Sequence, residues 1–350
     1  MMELGSEFWG APLQEKEGIC RTGNIQYVLS GRTALDLIGR DLAAERHVRS
    51  ICLPAYCCDS MIVPFRHLGL EIRFYDVQPV SGGLSRLLRE DHGCDAVLLL
   101  DYFGFSREET ALLAEREHAR GRAVILDRVQ SLYSESRAEV FSDYTAVSWR
   151  KWFFSCAGAA IKRTGEWKVR PEKEPLREYV RLRREGAEKK AAFISGASLN
   201  KQIFLDSFGA AEDLLDQDFK GYKADPDSMK DLGYLDVPFL KERRRENAEI
   251  LYQGLSELDS PLISPLFAKP GNKDVPLFVP VLVRDLHRSS LCSYLIQNQI
   301  YCPVHWPDPG TGGGAELYEE ELSLLCDQRY GREDMNRQID MIKEYLDHYA

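Results

Sequence analysis

Ala146-Val-Ser-Trp-Arg-Lys-Trp-Phe-Phe-Ser-Cys-Ala-Gly-Ala-Ala-Ile161 sets Lys151 between two tryptophans, with apolar and small residues on either side. Lysine is among the residues least often buried without a partner. Held in such a setting, its amine is pushed toward the neutral form that attacks carbonyls and makes Schiff bases. The same stretch also suits a lysine whose stem packs on Trp149 and Trp152 with its amine in water. The residues around it decide between the two.

Upstream lie short apolar runs that end in acids. Ala96–Leu100 is continuous and followed by Asp101, Ala123–Leu126 is followed by Asp127, and Tyr144–Ser148 leads into the lysine. Between them Arg107–Arg120 has helical spacing, as does Ser60–Leu68 further up. Arg49–Pro54 and Glu71–Asp76 read as further strands, and Gln26–Leu29 as a short one before Ser30-Gly31-Arg32-Thr33 and a helix. Buried strands alternating with helices predict an α/β fold, its mostly parallel sheet lying between helices.

Residues 1–25 read as an irregular arm. Glu166–Lys190 is densely charged with both signs, which predicts a solvated helix, and Asn200–Leu215 predicts another. Lys223–Ser228 reads as a hinge loop. Beyond it come a helix over Val237–Leu258, a strand over Leu277–Val283, a helix over His287–Gln297, a short strand near Ile300 and a last helix from Glu333. These predict a large domain over 1–225 and a smaller α+β domain over 226–350. Gly310–Gly314 lacks the Lys-Ser/Thr that completes a P-loop.

The chain has 350 residues and a net charge of −10, which disfavours nucleic acid and anionic membrane as partners. No run of 18 apolar residues predicts a membrane span, and the acidic start lacks a signal-like segment. Nine cysteines without a CxxC pair fit a reducing cytoplasm. They argue against a disulfide framework and a zinc cluster, so no metal ligands are expected.

Four features carry chemistry when taken together. Ser30-Gly-Arg-Thr33 at a helix start offers free N–H groups to an anion, or is an ordinary serine cap. Asp127 closes a buried strand, where ligands of open α/β sheets bind, and could hold a protonated ring nitrogen or cap a helix. Gln130 is placed to reach a ring hydroxyl, and Ser148 to join the anion site three residues before Lys151. A phosphate cradle, an acid for a pyridinium and a Schiff-base lysine point to pyridoxal phosphate (PLP).

Ser-Gly-Arg-Thr-Ala-Leu at 30–35, Leu-Pro-Ala-Tyr at 53–56, Asp-Tyr-Phe-Gly at 101–104, Leu-Asp-Arg-Val-Gln at 126–130 and Ser-Trp-Arg-Lys at 148–151 carry a resemblance. The chain resembles the DegT-type family of PLP-dependent sugar aminotransferases, within the fold-type I, aspartate aminotransferase-like superfamily. The resemblance implies that Lys151 forms the Schiff base and shuttles the proton. Asp127 would keep the pyridine nitrogen protonated, and Gly31, Arg32, Thr33 and Ser148 would hold the phosphate. It further implies a homodimer, an amino acid donor such as glutamate, and a keto or aldehyde acceptor, for instance a nucleotide-linked ketosugar. Aldol cleavage or elimination on an amino acid, or a non-catalytic regulatory role on the same fold, stay open at this point.

The sequence departs from the family at several positions. Cys58 stands where the family places an aromatic over the cofactor ring, which leaves Tyr56 as the nearest stacking residue. Arg32 replaces a threonine common in the family. The Gly-x-Asn-x-Arg segment that reaches across the dimer has no clear counterpart, with Asn200 as its candidate. His305-Trp306 resembles a substrate-facing segment, or is simple packing.

Overall fold

The computed structural model describes residues 3–14 and 24–349. In chain order its first elements are β1 (Leu4–Gly5), β2 (Ile25–Val28), α1 (Gly31–Arg46), β3 (Ser50–Pro54), α2 (Asp59–His67), β4 (Glu71–Val80), β5 (Gly83–Leu87) and β6 (Ala96–Leu100). Then come α3 (Glu108–Ala119), β7 (Ala123–Asp127), β8 (Tyr144–Ser148), β9 (Gly158–Lys162), α4 (Arg177–Ile194), α5 (Lys201–Gln217) and α6 (Pro226–Tyr234). The rest are α7 (Val237–Glu257), β10 (Ile263–Pro265), β11 (Val279–Val283), α8 (His287–Gln297), β12 (Ile300–Tyr301), α9 (Ala315–Glu320), β13 (Glu321–Leu324) and α10 (Arg332–Tyr349).

One eight-stranded sheet runs β2-β9-β8-β7-β6-β3-β4-β5. Its five central strands, from β8 to β4, are parallel, while β2, β9 and β5 pair antiparallel. β6, β7 and β8 are buried at every residue, so they read as unbroken apolar runs rather than alternating ones. α1 packs on β8 and β9, and α3 on β6 and β7. From β3 the chain steps out to β4, then returns to lay down β6, β7 and β8 on the other side. The order therefore reverses between β3 and β6, the place where ligands enter α/β sheets at the carboxyl ends. Those ends carry Cys58, Asp101, Asp127 and Ser148.

A second, antiparallel sheet has the order β10-β11-β13, and α7 lies against β10 and β11. No described helix is long and apolar enough to cross a membrane.

Besides the unpredicted short elements β5, β10, α9 and β13, four regions differ from the sequence-based expectation. Residues 3–14 of the expected arm are fastened down: β1 pairs in parallel with β12, and Leu13 bridges Leu235. Residues 15–23 of that arm, with Cys20, lie outside the described residues. β9 was not expected as a strand because Gly158-Ala-Ala160 has neither length nor branching to signal one. The proposed hinge at Lys223–Ser228 is instead a helix start, where Asp225 accepts the Ser228 N–H and caps α6. Finally, α4 is not simply solvated, since Arg183 and Lys190 are fully buried on it.

Candidate active site

The anion-binding end of the cleft is built from the first turn of α1. Ser30 is extended, and its Oγ accepts the Thr33 N–H at 3.1 Å. The N–H groups of Gly31 and Arg32 have no acceptor within the helix and point from its positive end. Both residues line the cleft, together with Ser148. Thr33 does not: its amide serves the cap, and its Oγ1 lies 2.9 Å from Ser30 Oγ. A Cβ on Gly31 would sit 3.2 Å from Ser148 Cβ and Val129 Cγ2, so the turn closes tightly on β8. Gly158 has the same task from below, since a Cβ there would lie 2.8 Å from the backbone of Ser30 and Val147. The Arg32 guanidinium turns away, pairing with Asp216 and donating to the Leu215 carbonyl at 3.2 Å.

Asp127 sits at the middle of the cleft, 2 % exposed. Its Oδ1 accepts the Val129 N–H at 2.8 Å. Among the described residues no cation pairs with it. Burial raises its pKa to about 6, against the opposing pull of the Val129 hydrogen bond. Gln130 fixes its own orientation by accepting the Phe103 N–H at 2.9 Å on Oε1, which leaves its NH2 group for the cleft.

Lys151 opens onto the same cleft. Contrary to the buried setting its sequence suggests, Lys151 is exposed to the cleft, yet the protein packed around the amine lowers its pKa and the adjacent Arg150 lowers it further, while Glu7, Cys58 and Glu212 pull the other way. Arg150 itself pairs with Glu212, and Arg183 lies between Glu212 at 3.6 Å and Glu7 at 2.9 Å. Burial would lift the pKa of Glu7, yet Arg183 and Arg150 hold it down at about 2, although its side chain stays 36 % open. A second cleft, lined by Glu7, Arg244, Tyr301 and Arg329, reaches Lys151 and Arg150 from the other side.

The lysine turn is pinned from α7. Arg244, fully buried over the Trp152 ring at 4.7 Å, donates to the Leu277 carbonyl at 3.0 Å and to Gln328 at 2.9 Å. Gln328 in turn donates to the Trp152 carbonyl at 2.6 Å, and the Trp152 indole N–H to the Val129 carbonyl at 2.9 Å. Lys151 and Asp127 thus sit on segments joined by one hydrogen bond.

Tyr56 is not at the cleft wall. Its ring stacks on Tyr102 at 5.5 Å and touches Trp306 and Tyr318, with its hydroxyl donating to the His305 carbonyl. After β3 the chain points Tyr56 into the core and gives the wall to Cys58. Trp306 is the aromatic that lines the cleft, beside His305, whose Nδ1 lies 3.0 Å from Ser323 Oγ. Tyr102 and Phe103 are core residues. Asn200 caps its own helix by accepting the Gln202 N–H at 2.9 Å. Sequence reasoning missed Glu7 and Glu212 altogether, since only the folded chain brings them to Lys151.

No family model matches this sequence, and neither does any curated protein. Solved structures do match. Helicobacter pylori PseC, an aminotransferase involved in the biosynthesis of pseudoaminic acid, superposes with a TM-score of 0.65 at 14 % identity, over 98 % of this chain and 100 % of that one. DesI, solved in the presence of its TDP-sugar product, gives 0.64 at 14 % identity over 93 % and 81 %. The aminotransferase TlmJ from Streptoalloteichus hindustanus gives 0.62 at 16 % identity over 93 % and 87 %. At these identities the likeness establishes the fold: the chain has the fold-type I architecture.

Proposed function

We propose that this chain is a PLP-dependent aminotransferase. One observation carries the reading: a buried carboxylate without a cation, Asp127, shares a cleft with a lysine amine whose ammonium form is disfavoured. The residues fit the cofactor. A protonated ring nitrogen would supply the charge that Asp127 lacks, and the N–H groups of Gly31 and Arg32 with the Ser148 hydroxyl would take the phosphate. The Gln130 amide is free to donate to a ring oxygen. When bound, PLP supplies an electron sink for bond changes at the Cα of an amino acid.

The protein's own part is then positioning and proton transfer. Lys151, neutral more readily than an ordinary lysine, would take the proton from the donor's Cα and hold it on its amine for return. Asp127, when ionised, would pair with a protonated ring nitrogen. Arg244, Gln328 and Trp152 fix the lysine turn, so that the amine reaches the same place in each half-reaction. We place the cofactor in a unit spanning 1–225, with 226–350 as its smaller companion, and expect a homodimer. Glutamate as donor and a nucleotide-linked ketosugar as acceptor follow from the family resemblance, and DesI with its TDP-sugar product supports the acceptor class.

The test is spectroscopic. Wild-type protein given PLP should develop a visible band that borohydride bleaches, leaving the cofactor covalently on Lys151. Lys151→Ala should show neither. Adding glutamate should then convert the wild-type band to that of the aminated cofactor. Failure to bind PLP overturns the whole reading, and a band that no amino donor alters overturns the aminotransferase half.

A further inference from the structure

Cys52 lies far in sequence from His92 and Cys94, yet the sheet brings the three together. Cys52 is the middle of β3, and Cys94 comes two residues before β6, which pairs with β3 through Ile51↔Ala96. Their two sulfurs and a ring nitrogen of His92 all lie within 4.8 Å of one another. Tetrahedral zinc, with Zn–S about 2.3 Å and Zn–N about 2.0–2.1 Å, sets neighbouring ligand atoms about 3.5–3.8 Å apart. Side-chain movements of about 1 Å would therefore close the set.

We propose that Cys52, His92 and Cys94 bind a thiophilic d10 cation, Zn2+ in the first place, at a site separate from the cleft. The His92 ring is held beside the two cysteines. Its Nδ1 accepts the Cys94 N–H at 3.1 Å, and its Nε2 lies 3.1 Å from Glu117 Oε2. An ion on Nδ1 would take over the lone pair that now accepts the Cys94 N–H, while Nε2 faces the Glu117 carboxylate and the Arg122 guanidinium. Glu117 is itself fixed. It is fully buried on α3 and takes Arg116 at 2.7 Å and Arg122 at 2.5 Å, the latter also 2.7 Å from His92 Nε2.

The donors select the ion. Two thiolates and an imidazole are soft to borderline ligands that suit zinc or monovalent copper, and not magnesium or calcium. Two thiolates with Zn2+ sum to zero charge, which a buried position accepts where two thiolates alone are costly. The fourth position is left to a ligand from solution. Cys94 stands at the amino end of β6, whereas Lys151 and Asp127 lie toward the carboxyl ends of the strands. The ion is thus a staple between β3 and the connection leading into β6, without a part in chemistry at the cleft.

The test uses the full chain, purified under reducing conditions and stripped with a chelator. Titration with Co2+ should give one equivalent with thiolate-to-metal charge-transfer absorption, and Zn2+ should displace it. Cys52→Ser and Cys94→Ser should each abolish the band, and His92→Gln should weaken and shift it. Cys292→Ser, on α8 away from the site, should leave it intact. Zn2+ should raise the Tm of the wild type alone. A folded wild type with no charge-transfer band overturns the proposal, as does a band that survives Cys94→Ser, or a Cys52–Cys94 disulfide that forms in place of binding. PLP uptake is read separately, so this outcome does not depend on the proposed catalytic function.

Discussion

Replacing Asp127 by asparagine should make the cofactor-free protein more stable, and more so as pH rises. In the fold Asp127 holds its proton up to a pKa of about 6, where the ordinary value is 3.8. Below pH 3.8 the carboxyl is neutral in both folded and unfolded chains, and nothing is lost. Between 3.8 and 6 the folded state binds more protons than the unfolded one, so this group's contribution falls with rising pH. Above 6 the loss is complete and amounts to about 3 kcal/mol, the equivalent of moving the proton release from 3.8 to about 6. Asparagine removes that loss and keeps an oxygen for the Val129 N–H. Urea unfolding of both apoproteins from pH 4 to 8 should show the variant's advantage growing from near zero to about 3 kcal/mol, levelling above pH 6. PLP affinity should move the other way, falling about tenfold or more in the variant. An advantage that does not change with pH would mean that burial does not govern Asp127, and the reasoning for a cation-seeking carboxylate would fail.

The remaining predictions test the frame around that carboxylate. Gly158→Ala drives a Cβ to 2.8 Å from the backbone of Ser30 and Val147, which cannot swing aside. It should cost about 1–3 kcal/mol in urea titrations and weaken PLP uptake, whereas Gly209→Ala, exposed on α5 with nothing within 4 Å of its Cβ, should stabilise by about 0.5–1 kcal/mol. Arg244→Ala strips hydrogen bonds from Gln328 and the Leu277 carbonyl and leaves a void over Trp152. A loss of about 3–5 kcal/mol is expected in thermal or urea unfolding, and a lowered rate of lysine reduction by borohydride in whatever fraction stays folded.

What the sequence disclosed and what it hid follow from where each signal originates. β6, β7 and β8 are legible because a strand covered on both faces must be apolar at every position, and Asp127 stands out as the acid that ends one. β9 is illegible because its Gly158 answers to clearance under Ser30, not to strand propensity. Tyr56 suggests itself as the stacking residue only as the aromatic nearest the family position that Cys58 occupies. The turn after β3 alternates side chains, and the core, through Tyr102 and Tyr318, claims the larger one. The charged sequence around Arg183 and Lys190 predicts solvation for both. Their burial is decided by residues 5–9, whose carbonyls Lys190 meets at 3.1 and 2.8 Å and whose Glu7 meets Arg183. No local pattern in α4 records that contact.

That contact bears on the lysine itself. The protein packed around its amine and Arg150 push Lys151 toward the neutral form, and Glu7 and Glu212 restrain them. Arg150 lies on the lysine turn, Glu212 on α5, and Glu7 on the segment that α4 and β12 hold in place. With Glu7 removed, Arg183 would keep only the longer contact to Glu212, and Lys151 would lose a counter-charge, moving further toward the neutral form. With Arg150 neutralised instead, the amine would move toward the ammonium. The first residues of the chain therefore act on a side chain at β8's exit, which is why fastening that segment to α4 and β12 matters to the site.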